Sequence, residues 1–372
     1  MKKTRILQVT GGLGIGGIEK LVVSFYEKIN RDKFEMDFLV YGEKIGELEE
    51  KVKQLGGKVL RVESPAKNYF KFYKNVCKIM IENGPYDVVH SHVLFNTGFI
   101  IRAAAKTKIP MRISHSHDNL SYLKTGLLKS IYIKIMRRWM RKYSTKFYAC
   151  SSSAGEYLFG RKLFKEKGNV LLNSIDINKF EFDECKRAAI RKEFNIGDEI
   201  VIGNIGRLER QKNQEFLLAI LQAMNKQNKK IKLILVGDGN LKSDLELKLD
   251  AKGLKDQVIM TGSRNDICDL LCAMDMFVLT SIHEGLGIVL IEAQANGLAC
   301  IAPKDIVPSE AKILDTFKFV NYPNIENLDD WIKSIEENME VGRTSHVEEK
   351  ISAAGYDANT FANRLEQLYS NT

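Results

Sequence analysis

The segment Glu284-Gly285-Leu286-Gly287-Ile288-Val289-Leu290-Ile291-Glu292 sets two carboxylates about a glycine-rich turn that runs into an apolar helix. The start of such a helix has N–H groups without intrahelical acceptors and about half a positive charge, so it suits a phosphate group. With the helix beginning near Gly287, Glu292 lies roughly 7 Å along it while Glu284 stays in the preceding loop. Each carboxylate can then accept hydroxyl hydrogens on one side of a bound diphosphate, from a ribose or from a sugar. The guest that fits is a nucleotide sugar. Two glutamates alone are explained more simply, as a solvated loop residue and a partner for the helix dipole. Ile291 and Ala293 weigh against that explanation, because an unpaired carboxylate among them is expensive to bury.

A basic loop complements the acidic segment. Gly203-Asn204-Ile205-Gly206-Arg207-Leu208-Glu209-Arg210-Gln211-Lys212-Asn213 follows the apolar run Ile200-Val201-Ile202 and precedes a helix-like stretch from Phe216 to Met224. A strand therefore ends in a loop carrying Arg207 and Lys212, at the strand end where open α/β sheets take ligands. A guanidinium fork and a mobile ammonium can together neutralise a leaving diphosphate.

These loops need a scaffold, and strand-like runs alternate with helix-like runs along the chain, as a parallel sheet covered on both faces requires. Thr4–Val9, Glu35–Val40, Lys58–Val62, Val88–His90, Met111–Ser114 and Lys146–Ala149 form one predicted series. Ile200–Asn204, Ile231–Val236, Val258–Met260, Met276–Leu279, Ala299–Ile301 and Phe317–Val320 form the other. A chain of 372 residues with 44% hydrophobic content can fill two cores. The expected fold class is α/β with two doubly wound, Rossmann-like domains, and the boundary is expected between Asn173 and Cys185.

The basic loop, the paired glutamates, the linker Asn173-Ser174-Ile175-Asp176 and the opening Gly11-Gly12-Leu13-Gly14-Ile15-Gly16-Gly17-Ile18-Glu19-Lys20, in this order along nearly the whole chain, resemble the retaining family-4 glycosyltransferases of the GT-B fold. The resemblance implies two domains facing across a cleft: residues 1–180 on the acceptor side and 181–355 for the nucleotide sugar. A helix within 356–372 would return to the first domain. It assigns Arg207 and Lys212 to the donor diphosphate, Glu292 to the ribose and Glu284 to the donor sugar. Gly206, Arg264, Gly285, Leu286 and the amides around Gly287 and Ile288 would complete the donor site, with Gly16 and Gly17 closest to the sugars. Two departures stand out. Ser174 replaces a common glycine, and Asp305-Ile306-Val307-Pro308-Ser309-Glu310 stands where a glycine-rich turn is usual, as in the capsule and exopolysaccharide branch.

The glycine-rich opening also matches a dinucleotide fingerprint at Gly12, Gly14 and Gly17, yet Val40-Tyr41-Gly42 ends the second strand without the acidic residue a ribose needs. Four of the six histidines form two clusters, His90-Ser91-His92 and His115-Ser116-His117-Asp118, each behind a strand. Alternating histidines can ligate zinc. The resemblance favours metal-free chemistry instead, with His117 as the active-site histidine and His115 as its substitute. For His90 and His92, loop packing and acceptor contact both remain open.

Six cysteines without a CxxC pair read as reduced thiols. No basic, apolar leader is evident at the N-terminus, so a cytoplasmic protein is expected, neither exported nor membrane-spanning. The net charge of +9 owes much to the stretch 124–146, where Lys134, Arg137, Arg138, Arg141 and Lys142 alternate with apolar residues. Helical spacing gives that stretch one apolar and one basic side, either a core helix with a wet face or a contact for anionic lipid on the inner face of the cell membrane. No nucleic-acid motif accompanies the charge.

The expected reaction moves a sugar from a nucleoside diphosphate, UDP in this reading, to a hydroxyl of a lipid-linked saccharide, with retention and without cofactor or metal. A nucleotide-sugar epimerase or hydrolase, and a non-catalytic sugar-nucleotide sensor, would use the same donor site.

Overall fold

The computed structural model describes residues 2–119, 126–225 and 229–371. The chain divides into two compact units, 1–174 with 357–372 and 175–356. The passage falls inside the expected window from Asn173 to Cys185, ahead of the division after residue 180 in the expected ranges. Ile175 and Ile177 are buried within the second unit, and Ile175 N–H donates to the Tyr356 carbonyl at 2.8 Å. These contacts draw the passage to Ser174/Ile175.

The first unit holds seven strands, β1 (Thr4–Val9), β2 (Phe34–Tyr41), β3 (Val59–Val62), β4 (Val88–Ser91), β5 (Met111–Ser116), β6 (Lys146–Ala149) and β7 (Gly168–Val170). Every pairing is parallel, in the order β3-β2-β1-β4-β5-β6-β7. The apolar residues of the central strands are sealed; Ile6, Met36, Phe38, Val88 and Ile113 are fully buried. Apart from Asp37 within β2, the buried polar residues here gather near the carboxyl ends, among them Gln8, Thr10, His90, Ser91, Ser114, His115 and Ser116. A polar group placed there must find a partner inside the protein.

The helix Ala358–Ser370 belongs to this unit. Asp357 caps its start by accepting from Thr360 N–H at 2.7 Å. Phe361, Ala362, Leu365 and Tyr369 pack into the same core as Phe25 and Phe34.

The second unit holds six strands, β8 (Ile200–Ile205), β9 (Ile231–Val236), β10 (Val258–Gly262), β11 (Met276–Val278), β12 (Ala299–Pro303) and β13 (Phe317–Val320). They too are all parallel, in the order β10-β9-β8-β11-β12-β13. In both sheets the order reverses once, between β1 and β4 and between β8 and β11. The loops beyond these strands are therefore where a doubly wound sheet opens for a ligand.

Of the two readings of the basic stretch, helix Leu127–Tyr143 does not pack as a core helix would. Only Met136 and Met140 are buried on it, whereas Leu127, Leu128, Ile131 and Ile135 are exposed. Lys124, where the basic stretch was taken to begin, lies outside the described residues. No helix among the described residues is long and apolar enough to cross a membrane.

Candidate active site

The loops after β8 and β11 are joined by hydrogen bonds. Ile282 N–H donates to the Gln211 carbonyl at 2.9 Å, and Gln211 Nε2 donates to the His283 carbonyl at 3.0 Å. The Thr280 hydroxyl donates between the Lys212 and Asn213 carbonyls, at 3.1 and 3.0 Å. Lys212 then runs back over Gly206, where a Cβ would approach its Cε to 3.1 Å. Its Nζ ends 2.6 Å from Glu284 Oε1, and the Ser281 hydroxyl donates to that same oxygen at 2.6 Å. With the two charged side chains only 15% and 8% exposed, removing either would leave the other poorly solvated. An ammonium has three donors, so Lys212 can keep Glu284 and still grip a phosphate oxygen.

Helix Ile288–Ala295 begins at Gly287, which takes a left-handed φ of +78° that any side chain would strain. Glu284 Cγ lies 3.9 Å from where a Cβ on Gly287 would stand, so the carboxylate sits beside the helix start. Gly285 and the buried Leu286 form the turn between them, and the amides of Ile288 and Val289 have no acceptor within the helix, whereas Leu290 N–H donates to the Gly287 carbonyl at 2.8 Å. Glu292 is half-buried on the second turn. Its charge adds to the burial that pushes the Cys268 thiol up.

The structure thus assembles Gly206, Lys212, Glu284, Gly285, Leu286, Gly287 and Ile288. Arg207 shares the β8 loop but is exposed, its guanidinium 3.0 Å from Glu209. Arg264 follows β10, the edge strand, and is engaged by Glu193 at 2.7 Å and Asp266 at 2.6 Å. Thr280, Ser281 and Gln211, which hold the site together, were not singled out from the sequence. The available signal was a pair of hydroxyl residues directly behind an apolar strand.

In the first unit Gly16 caps helix Gly17–Lys28. Glu19 folds over that start, its Oε2 where a Cβ on Gly16 would clash, and burial raises its pKa. The four clustered histidines meet in a network behind β1, β4 and β5. His90 Nε2 is 3.0 Å from His115 Nδ1, and His90 Nδ1 is 2.7 Å from the Tyr369 hydroxyl. His92 Nδ1 is 2.7 Å from His117 Nε2, His92 Nε2 is 2.9 Å from Gln8 Oε1, and His117 Nδ1 is 3.1 Å from Asn173 Oδ1. Gln8 Nε2 donates to Tyr369 at 3.1 Å and so links the two arms.

Burial holds these imidazoles neutral: His117 is pushed down to about 4, His90 to about 3, and His92 and His115 well below the usual value. His90, His92 and His115 are buried, whereas His117 is half-buried. The nitrogens of His90, His92 and His115 lie within 4.8 Å of one another, a set that could hold a metal ion. All but His115 Nε2 are engaged in the hydrogen bonds above, which is the arrangement of a polar network.

Two family models match the chain, Glycosyltransferase Family 4 over residues 15–179 and Glycosyl transferases group 1 over residues 186–370. The putative glycosyltransferase EpsF of Bacillus subtilis is 32% identical, covering 98% of this chain and 96% of its own length. The capsular polysaccharide biosynthesis glycosyltransferase CapH of Staphylococcus aureus is 24% identical over 98% of both chains. The crystal structure of Anabaena HepE in complex with UDP and glucose shares the fold, with a TM-score of 0.82 at 19% identity over 99% of this chain and 100% of that one. Two Rossmann-like units, both family models and a relative matched almost end to end place this chain among the family-4 glycosyltransferases, enzymes of the transferase class with the GT-B fold.

Proposed function

We propose that the protein transfers a sugar from UDP to a saccharide hydroxyl with retention of configuration, as a step in building a capsular polysaccharide or exopolysaccharide. The observation that carries this reading is the buried Lys212–Glu284 pair beside the helix start at Gly287. It offers a phosphate both a cation and aligned amides, next to a carboxylate that can hold sugar hydroxyls. UDP complexes of HepE and the capsular role in the name of CapH support the nucleotide and the pathway class.

In the proposed step the bond from the anomeric carbon to the diphosphate oxygen breaks and a bond to the acceptor oxygen forms on the same face. The acceptor proton passes to the departing diphosphate oxygen. Lys212, the helix amides and an Arg207 released from Glu209 stabilise the charge that grows on the diphosphate, and Glu292 holds the ribose. His117 serves as the active-site histidine. In this reading no metal takes part, since the cation and the helix dipole supply the electrostatic stabilisation.

A panel of UDP-, GDP- and ADP-sugars in a thermal-shift assay tests the reading. A UDP-sugar should raise Tm, because only a ligand that favours the folded state does so. A shift with GDP- or ADP-sugars alone would refute UDP as the nucleotide. Rapid nucleotide release without acceptor would favour a hydrolase.

A second part of the reading places the acceptor on a membrane. Helix Leu127–Tyr143 exposes Leu127, Leu128, Ile131 and Ile135, and Arg137, Arg138, Arg141, Arg161 and Lys162 surround a cavity of about 520 Å³ nearby. Apolar side chains beside a cluster of cations suit an anionic leaflet, which adds roughly 1 kcal/mol per basic residue. Arg137 also donates to the Tyr157 and Leu158 carbonyls, so charge reversal is best placed at Arg138, Arg141 and Lys142. That variant should lose co-sedimentation with anionic vesicles and keep transfer to a short soluble acceptor. Equal sedimentation of variant and parent would refute membrane contact.

A further inference from the structure

The histidine network can be read by counting protons. An amide oxygen only accepts, and a neutral imidazole carries one proton. With Gln8 Oε1 facing His92 Nε2 and Asn173 Oδ1 facing His117 Nδ1, both outer nitrogens of the His92–His117 pair must donate. The 2.7 Å contact between the rings needs one proton more. Three protons on two rings make an imidazolium, which burial at this place opposes. A neutral pair therefore requires one of the two amides to present its NH₂ group instead. An amide's oxygen and nitrogen have nearly the same shape, so turning one has no steric consequence.

Turning Gln8 satisfies both arms together. Its Nε2 then donates to His92 Nε2, His92 Nδ1–H donates to His117 Nε2, and His117 Nδ1–H donates to Asn173 Oδ1. On the other side the Tyr369 hydroxyl donates to Gln8 Oε1, His90 Nδ1–H donates to Tyr369, and His115 Nδ1–H donates to His90 Nε2. His115 Nε2, buried and without a hydrogen-bond partner, is left with a bare lone pair and no stranded N–H. Every contact has one donor and one acceptor. Gln8 is 1% exposed and anchored at both ends of its amide, whereas Asn173 is only half-buried, so Gln8 is the member whose orientation is locked.

We infer that Gln8 is a positioning residue which, through His92, keeps the proton of His117 on Nδ1 and leaves Nε2 an acceptor, fixing the tautomer in which that ring is held. The catalytic part of this rests on the proposed role of His117, while the proton placement does not.

The test is ¹⁵N NMR of histidine-labelled full-length protein at neutral pH, alongside kinetics. His117 in the parent should show a protonated Nδ1 and a bare Nε2. Gln8→Glu, once ionised, has only acceptor oxygens, so it should force His92 Nε2–H and move the His117 proton to Nε2. Turnover should fall about tenfold or more with the donor KM little changed, as when a histidine is held in the wrong tautomer. Gln8→Met, uncharged and of similar length, guards against a folding defect in the first variant and should leave His117 a mixture of both tautomers. An imidazolium or an Nε2–H form in the parent would overturn the inference, as would an unchanged His117 signature in both variants. Zinc-induced shifts of the His90 and His115 signals at stoichiometric metal would overturn it too, making the cluster a metal site. A tautomer switch without loss of turnover would uphold the proton placement and remove His117 from the reaction.

Discussion

The two units build polar sites at the same place in nearly the same sheet and fill them in opposite ways. Beyond β8 and β11 the second unit keeps a full ion pair, Lys212 with Glu284, against a helix start. Beyond β1, β4 and β5 the first unit keeps a net-neutral set of imidazoles, amides and a phenol. Position in the fold therefore marks where a ligand goes without saying which. The charge does that: a retained cation with aligned amides suits a phosphate, and neutral groups that both donate and accept suit hydroxyls.

The largest effect expected from breaking this contrast is at Lys212. Lys212→Ala removes the cation and strands Glu284, and turnover should fall roughly 10²–10³-fold with the circular dichroism spectrum unchanged. Near-normal turnover across several donors would erase the distinction between the two sites. Glu292→Gln keeps the shape and removes the charge, so UDP affinity should weaken about tenfold while Tm moves little. Unchanged affinity would make Glu292 structural.

The histidine site should respond to pH. Its folded-state values lie below the ordinary 6.5, at about 4 for His117 and about 3 for His90. The unfolded chain therefore binds more protons than the folded one below pH 6.5. The stability these groups confer is complete above that pH and is lost as pH falls toward 4 and then 3. Tm should drop by several degrees between pH 7 and pH 4.5, and a flat profile would mean the folded rings titrate as they do in the unfolded chain. At Gly287, substitution by Ala forces a side chain into left-handed backbone, which should cost about 1–2 kcal/mol in chemical denaturation. No cost would mean the helix start can shift. The smallest effect, none at all, is expected from exhaustive EDTA treatment. Activity restored only by zinc or manganese would contradict metal-free transfer.

Much of this architecture was legible because buried parallel strands read as short apolar runs and most of them emerged within a residue or two. β7 did not, since Gly168-Asn169-Val170 offers one apolar residue and its pairing to β6 is an edge contact. At the donor site the residue types were legible, but their partnership was not. Lys212 and Glu284 lie 72 positions apart and meet only because β8 and β11 are neighbours. The histidines announced themselves as two clusters, whereas Gln8 and Tyr369, 361 positions apart, join them only through the returning helix. The exposed Leu127 and Leu128 escaped because periodicity shows that a helix has an apolar side without showing what covers it.

Calorimetric titration of UDP and of uridine into the parent protein and Lys212→Ala tests the central claim most directly. If the second unit holds the diphosphate through Lys212 and the helix start, the substitution should weaken UDP by about ten- to a hundredfold and leave uridine binding unchanged. Equal UDP affinity in the two proteins, or an equal loss for UDP and uridine, would contradict it.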